Sequence, residues 1–506
     1  MHLKDILNGI EFKGEGAMPS LEINNVTNDS RNVKEGDLFV AVKGCLLNGC
    51  KFIDEAVARG AKAILAEDDF VSPEGVTKIL VEDTRSSLPA IADNFYGRPS
   101  QKLKAIGVTG TNGKTTITYI IESIIKNNGE DAGVVGTVNY RLKDRVLPAK
   151  NTTPGPLELQ AMLAEMVKAG VGYVVIEVSS HSLDQHRVDR ILFDAAIFTN
   201  ITSEHLDYHK TMDNYFKTKA ALFDNLKKNG IAILNNDDEK VASLRDSIKN
   251  KVMTYGIKED ADIRARDIKL SLDGSRFTAF TQKGPFEINT RLIGVHNVSN
   301  VLASIAAALA LNINIDVIKK GVESVNFVPG RLELVDAGQP FKIFVDYAHT
   351  EDALNNVLGL LREVAKGNII TVFGCGGNRD TKKRPLMGKA ACKFSDKVII
   401  TSDNPRFEEP IRIIDDIEKG IKGKFYNYEI VDDRRKAIDR AIGLASEGDT
   451  IIIAGKGHED YQIIKDKVMP FDDRLVVMEI LKRKGYEGKR DSKNNQRGVA
   501  VRRSRI

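Results

Sequence analysis

The chain has 506 residues, 42% of them apolar and 28% charged, with a formal charge of +4; at ~100–200 residues per domain this points to about three domains. No apolar run approaches the ~18–20 residues that a membrane-crossing helix needs, which excludes such a span. The positive balance does not indicate a nucleic-acid partner, because residues 487–506 carry seven Lys/Arg against two Asp/Glu, or +5, and leave the remainder at −1.

The first stretch, "MHLKDILNGIEFKGEG", lacks the basic start, apolar middle and small-residue cleavage site of a secretory signal, so a cytoplasmic location is expected. Cys45, Cys50, Cys375 and Cys392 fit that compartment as buried or free thiols. Cys45 and Cys50 lie close together but lack a second Cys or His pair at ligand spacing.

From residue 1 to 98, short strand-like runs such as "DLFVAVKG" and "AKAILAE" alternate with a helical "FIDEAVARG", predicting a small α/β domain that ends in the linker "YGRPS". Residues 99–328 bring strand "LKAIGVTG", helix "TTITYIIESIIKNNG" and the apolar strands "GYVVIEVSS", "DAAIFTN" and "GIAILNN". Apolar strands alternating with helices predict a mainly parallel sheet covered on both faces. Residues 329–486 repeat the theme in "FKIFVDYA", "GNIITVFGCGG", "DKVIITSDNP" and "DTIIIAGKG", each an apolar run ending in small or polar residues. This reads as a Rossmann-like α/β domain, with ligands expected beyond the C-terminal ends of the strands. Residues 487–506 are polar, basic and without period, and are expected to be a disordered tail.

"GTNGKTT" lies between a predicted strand and a predicted helix, so backbone amides and the helix dipole can meet a polyphosphate along Gly110, Thr111, Asn112, Gly113, Lys114, Thr115 and Thr116. Lys114 is expected to reach the outer phosphates and Thr115 a magnesium ion. One feature departs from the common pattern: Val108 stands where the first glycine of the loop usually falls. Downstream, "VVIEVSSHSLDQHRV" puts Glu177 at a strand end and "FTNITSEHLDYH" puts His205 after another strand. A carboxylate and an imidazole at adjacent strand ends suit a second divalent ion. The plain alternatives are a strand-end surface carboxylate and a hydrogen-bonded loop histidine.

"GTNGKT" resembles the phosphate loop of the Mur ligase and folylpolyglutamate synthetase family, ATP-dependent enzymes that form amide bonds. The resemblance extends over nearly the whole chain and implies ATP as co-substrate and Mg2+ as cofactor. It implies that Lys219 of "YFKTKAALF" is carried as a carbamate and helps hold metal, the alternative being an exposed helix lysine paired with a neighbouring acid. It further implies that Asn297, Arg331, Asp346 and His349 serve the nucleotide, with the C-terminal domain closing over ATP.

Within the family, "NTTPGPLEL" and "EVSSHSLDQHR" are similar to segments that bind UDP-N-acetylmuramoyl-L-alanyl-D-glutamate, which implicates Asn151, Thr152, Thr153, Ser179, Gln185 and Arg187. "VTNDSRNVKEGDLFVAVKG" resembles the uridine-binding region, with Ser30 as the contact, whereas Asn48, Gly49 and Cys50 stand where relatives read Asp-Gly-His. "TSDNPRFEEP" looks like the segment that accompanies meso-diaminopimelate, implicating Asp403, Asn404, Pro405 and Arg406; Arg379, Gly455 and Glu459 complete the implied amino-acid site. A planar guanidinium suits the distal carboxylate that distinguishes diaminopimelate from lysine. The expected protein is thus a monomer that joins the two small molecules. A lysine-adding relative, a folylpolyglutamate synthetase and a nucleotide-driven switch are the competing readings.

Overall fold

The computed structural model describes residues 1–15, 21–44 and 47–486; Cys45 and the basic tail from 487 lie outside the described residues. The chain divides into two compact units, the first comprising Met1–Lys269, Arg276–Thr290 and Val295–Val325, the second Leu270–Ser275, Arg291–Gly294 and residues 326 onward.

The first unit contains two sheets. The smaller has five strands, β1 (Lys13–Glu15), β2 (Val26–Thr27), β3 (Leu38–Val40), β4 (Ala63–Ala66) and β5 (Thr77–Leu80), in the order β1-β5-β4-β3-β2. Only β1 runs antiparallel to its neighbour. Leu38, Val40, Leu65 and Ile79 are fully buried in its core.

The larger sheet is built on β6 (Lys104–Thr109), β7 (Ala132–Val135), β8 (Asn139–Leu142), β9 (Arg145–Pro148), β10 (Tyr173–Glu177), β11 (Phe193–Phe198), β12 (Leu226–Asn235) and β13 (Lys251–Gly256), continued by β14 (Ile263–Ser271), β15 (Gly274–Thr281) and β16 (Gly284–Thr290). Its order is β16-β15-β14-β13-β12-β11-β6-β10-β7-β8-β9. The strands from β7 to β13 around β6 are parallel, as the unbroken apolar runs require, because helices cover both faces and leave no polar side. At one edge β8 runs antiparallel to both β7 and β9. After β6 the chain builds β7 and β10 to one side and then β11, β12 and β13 to the other. This reversal makes the C-terminal end of β6 a topological switch point, where parallel sheets leave a crevice. The helix Lys114–Asn127 leaves that point and packs on helix Val295–Ala310 and on Ile315–Glu323, where Gly321 comes so close that a Cβ would sit 2.5 Å from Ile124 Cα.

The second unit has a six-stranded sheet of β17 (Glu333–Leu334), β18 (Lys342–Asp346), β19 (Ile369–Phe373), β20 (Lys397–Ile400), β21 (Tyr428–Ile430) and β22 (Thr450–Ala454), in the order β17-β18-β22-β19-β20-β21. All but β17 are parallel. Helices Glu351–Val364, Lys383–Phe394 and Pro410–Glu418 contribute to one apolar layer, and Arg434–Leu444 and Asp473–Arg483 to another. Within this unit Arg434 and Asp473 form a fully buried ion pair at 2.7 Å. The hairpin of β23 (Tyr461–Ile464) and β24 (Lys467–Pro470) follows β22.

Candidate active site

The departure at Val108 has a structural reason. Val108 is an interior residue of β6, paired with Glu177 on one side and Ile197 on the other, so the phosphate-loop turn begins two residues later. Gly110 and Gly113 supply the left-handed backbone, at φ 138° and 91°. A Cβ would lie 1.9 Å from Thr199 Oγ1 at the first and 2.3 Å from Asn300 Oδ1 at the second, so neither position admits a side chain. The segment after β11 holds the loop in place: Thr199 Oγ1 donates to Asn112 O at 2.6 Å, and Asn112 N–H donates to Asn200 Oδ1 at 3.0 Å. Lys114 Nζ donates to Gly110 O at 2.7 Å and Thr111 O at 2.8 Å. Thr115 and Thr116, both buried, lie in the first turn of the helix Lys114–Asn127, whose free amides and positive dipole end suit an anion.

Glu177 ends β10 and is 1% exposed, which removes the reading of a surface carboxylate. It accepts hydrogen bonds from Thr115 Oγ1 at 3.1 Å, Thr137 N–H at 3.0 Å and Thr137 Oγ1 at 2.9 Å. Among the described residues it has no ion-pair partner. Lys219 is 2% exposed rather than a surface helix lysine. Its Nζ donates to Gly110 O at 2.9 Å and lies 4.6 Å from the centre of the Tyr215 ring. Burial, then the neighbouring Lys114, holds its ammonium well below the usual lysine range. A neutral amine is the form that can add to CO2.

One expectation needs correction. The strands that precede His205 and end at Glu177 are not adjacent, because β6 lies between β11 and β10. His205 sits beyond the end of β11, at the start of the short helix Leu206–His209, with a left-handed backbone at φ 56°. Its ring is 4.8 Å from that of His181 and 6.4 Å from that of Tyr215, whose hydroxyl is 3.3 Å from Thr111 Oγ1. Among the described residues no three His, Cys, Asp or Glu side chains gather in a metal cage. A buried carboxylate satisfied by neutral donors, beside Thr115 and the phosphate loop, fits Mg2+, which binds through one or two carboxylates, waters and substrate phosphates.

Beside Glu177 the predicted acceptor residues converge. Thr153 Oγ1 donates to Glu177 O at 2.7 Å and accepts from Ser179 N–H at 3.2 Å. Arg187 Nη1 donates to Thr153 O at 2.8 Å, and its Nη2 donates to Gln185 Oε1 at 2.6 Å. Asn151 O accepts from the Tyr140 hydroxyl at 2.6 Å, and Thr152 Oγ1 lies 3.1 Å from Thr137 Oγ1. Ser30 opens the short 3-10 helix Ser30–Asn32 between β2 and β3, where its hydroxyl donates to Glu55 Oε2 at 2.7 Å. Asn48 caps the turn at Cys50 N–H (3.0 Å) and donates to Asp68 Oδ2 at 3.0 Å; burial raises the Cys50 thiol.

In the second unit Arg331 precedes β17, and the remaining site residues lie at or beyond the C-terminal ends of β18, β19, β20 and β22. Asp346 accepts Leu332 N–H at 2.7 Å and Ala348 N–H at 2.8 Å, while burial pushes its carboxyl up. Arg331 lies 5.5 Å from the Tyr347 ring, and His349 Nδ1 is 2.8 Å from Tyr347 O. Arg406, at φ 53°, donates to Gly377 O at 3.0 Å, which joins the loop of exposed Arg379 to the loop holding Asp403, Asn404 and Pro405. Asn404 Nδ2 donates to Glu459 Oε2 at 2.9 Å. Glu459 lies in no helix, and burial raises its carboxyl. Asp403 Oδ2 is buried without a hydrogen-bond partner, and a Cβ on Gly455 would come within 2.8 Å of it. Asn297 is placed in the first unit, buried and accepting from Asn300 Nδ2 at 3.1 Å.

Sequence reasoning missed the residues that hold these groups still. Fully buried Lys456 donates to Glu459 Oε2 at 3.3 Å, and Arg384, 1% exposed, grips Glu408 and Asp416, each at 2.9 Å. Lys456 stood inside the quoted "DTIIIAGKG" and Tyr215 opened the quoted "YFKTKAALF"; Thr137 lay in no quoted segment.

Three family models match the chain: "Mur ligase family, catalytic domain" over residues 22–96, "Mur ligase middle domain" over 108–308 and "Mur ligase, glutamate ligase domain" over 330–457. The chain is 46% identical over 481 residues to the UDP-N-acetylmuramoyl-L-alanyl-D-glutamate–2,6-diaminopimelate ligase of Caldanaerobacter subterraneus subsp. tengcongensis, covering 95% of this chain and 99% of that one. A solved structure of a ligase with the same description superposes with a TM-score of 0.71 at 32% identity, covering 96% of this chain and 99% of that one. A MurF ligase from Thermotoga maritima in complex with ADP shares the fold, with a TM-score of 0.61 at 21% identity and coverage of 92% and 97%.

Proposed function

The chain belongs to the Mur ligase family, and from that premise we infer that it joins meso-diaminopimelate to the D-glutamate of UDP-N-acetylmuramoyl-L-alanyl-D-glutamate, spending ATP. The observation that carries the chemistry is the shared seat of Lys114, Lys219, Thr115 and Glu177 around one phosphate loop. We assign the nucleotide to Gly110–Thr116, Asn297, Arg331, Asp346 and His349. The acceptor falls to Ser30, Asn151–Thr153, Ser179, Gln185 and Arg187, and the amino acid to Arg379, Asp403–Arg406, Gly455 and Glu459. On this reading residues 1–98 bind the uridine end, 99–328 bind ATP and 329–486 select the amino acid.

The D-glutamate carboxylate attacks the γ-phosphate of ATP and gives an acyl phosphate and ADP. Two anions must meet in that step, so the loop amides and Lys114, released from Gly110 O and Thr111 O, lower the barrier by neutralising charge. The diaminopimelate amine then attacks the activated carbonyl, phosphate leaves, and an amide remains. Thr115, Glu177, His205 and carbamylated Lys219 are the residues that would hold Mg2+, which supplies electrostatic neutralisation of the phosphates. Arg406 offers the planar donor pair that a distal carboxylate requires. Consumption of ATP fits a cytoplasmic enzyme, and among the described residues no helix is long and apolar enough to cross a membrane.

The test is to incubate the purified chain with ATP, Mg2+ and the UDP-linked dipeptide and to measure phosphate release with diaminopimelate, with lysine and with neither. Release stimulated by diaminopimelate alone, with a new amide in the product, is expected. Equal release in all three sinks the reading in favour of a nucleotide-driven switch, and stimulation by lysine favours the lysine-adding relative.

A further inference from the structure

Thr137 belongs to none of the segments assigned above, yet it makes two of the three hydrogen bonds that hold the Glu177 side chain. The register explains why. Val135, the last residue of β7, pairs with Ile176 of β10, so the chain that leaves β7 runs alongside Glu177. Thr137 N–H donates to Glu177 Oε1 at 3.0 Å and Thr137 Oγ1 to Oε2 at 2.9 Å, the oxygen that Thr115 Oγ1 also reaches at 3.1 Å. Gly136 clears the seat, since a Cβ there would stand 2.3 Å from Glu177 Oε1.

The same hydroxyl lies 3.1 Å from Thr152 Oγ1. A hydroxyl has one proton to give and an ionised carboxylate can only accept. Thr137 therefore spends its proton on Glu177, and Thr152 must donate to Thr137. The result is a polarised chain from Thr152 through Thr137 to Glu177, linking the acceptor segment to the carboxylate assigned to the metal.

We propose that Thr137 is a positioning residue that fixes the Glu177 carboxylate for Mg2+ and couples its orientation to the acceptor-binding Thr152. The proposal rests on the roles given above to Glu177 and Thr152. Thr137→Val keeps the side-chain shape and the main-chain N–H but removes the hydroxyl, Thr137→Ser restores it, and Thr137→Ala removes it without the bulk of valine.

Calorimetric titration of the full chain with ADP, with and without Mg2+, gives a readout that needs no turnover. In Thr137→Val and Thr137→Ala the Mg2+-dependent gain in ADP affinity should fall about 10-fold, the size of one lost hydrogen bond to a charged group, while affinity without Mg2+ stays at the wild-type value. Thr137→Ser should recover most of the gain. In the ligation assay the KM for the UDP-linked dipeptide should rise in Thr137→Val while that for diaminopimelate does not. Wild-type Mg2+ dependence and dipeptide KM in both hydroxyl-free variants overturn the inference, as does equal loss in Thr137→Ser. A wild-type chain that ignores diaminopimelate overturns the functional reading instead, and leaves the ADP and Mg2+ comparison intact.

Discussion

The two site regions handle buried charge in opposite ways. Around the phosphate loop, Glu177 is held by two hydroxyls and an amide, and Lys219 by a carbonyl and a ring face, with no counter-ion on either among the described residues. In the second unit three clusters of buried charge are already paired, Arg434 with Asp473, Arg384 with Glu408 and Asp416, and Lys456 with Glu459, while Asp346 is held by main-chain amides. An uncompensated buried charge is costly unless something else supplies the partner. The first region is therefore built to receive charge from metal and phosphate. The second is built to hold its loops rigid, so that Arg406 and Asp403 present a fixed pattern to an incoming amino acid.

The comparison can be broken at its ends. Lys114→Ala should lower ATP-coupled ligation by at least ~10³-fold, because the developing phosphate charge loses its mobile cation; ADP release in the coupled assay reads this, and a wild-type rate refutes the role. Asp473→Asn should leave the fully buried Arg434 guanidinium with only the Asp403 carboxylate, 3.9 Å away, in place of its close partner, and cost about 3 kcal/mol in urea unfolding followed by circular dichroism. Should the variant unfold like the wild type, the second unit's ion pairs would not be what keeps it rigid.

Smaller changes sharpen it. Arg406→Ala should raise the KM for diaminopimelate by about 10²-fold, by loss of a two-point carboxylate contact, with the KM values for ATP and dipeptide little changed. A uniform fall in all three would show that the loop, not the guanidinium, had been lost. The mildest effect concerns His458. Burial, helped by Arg331 and Arg474, lowers its imidazolium from 6.5 to about 4. Between those values the unfolded chain binds a proton there that the folded chain does not, so stability falls as pH drops from 6.5 towards 4 and levels off below. Thermal melts across that window should slope less in His458→Gln than in wild type, and parallel slopes would contradict the assignment.

How far the letters alone reached differs between the two regions. The phosphate loop was legible because an apolar strand, two glycines, Gly-Lys-Thr and a helix lie within one short stretch, and each element depends on its neighbours in sequence. Arg406 and Glu459 were legible only by likeness to a family. The order of β11, β6 and β10 was not legible, and with it went the expectation that Glu177 and His205 end adjacent strands. Thr137 was silent because a lone threonine after a short strand carries no pattern.

The sequence by itself determined the alternation of strands and helices, the turn that cradles phosphate and the chemical kinds of side chain available, since periodicity and turn chemistry are local. Tertiary structure alone decided that Lys219 is buried beside Lys114, that Glu177 faces hydroxyls rather than a cation, and that Thr137 joins Thr152 to it. Those outcomes depend on which distant segments the sheet order sets side by side, and burial and partner choice are properties of that packing.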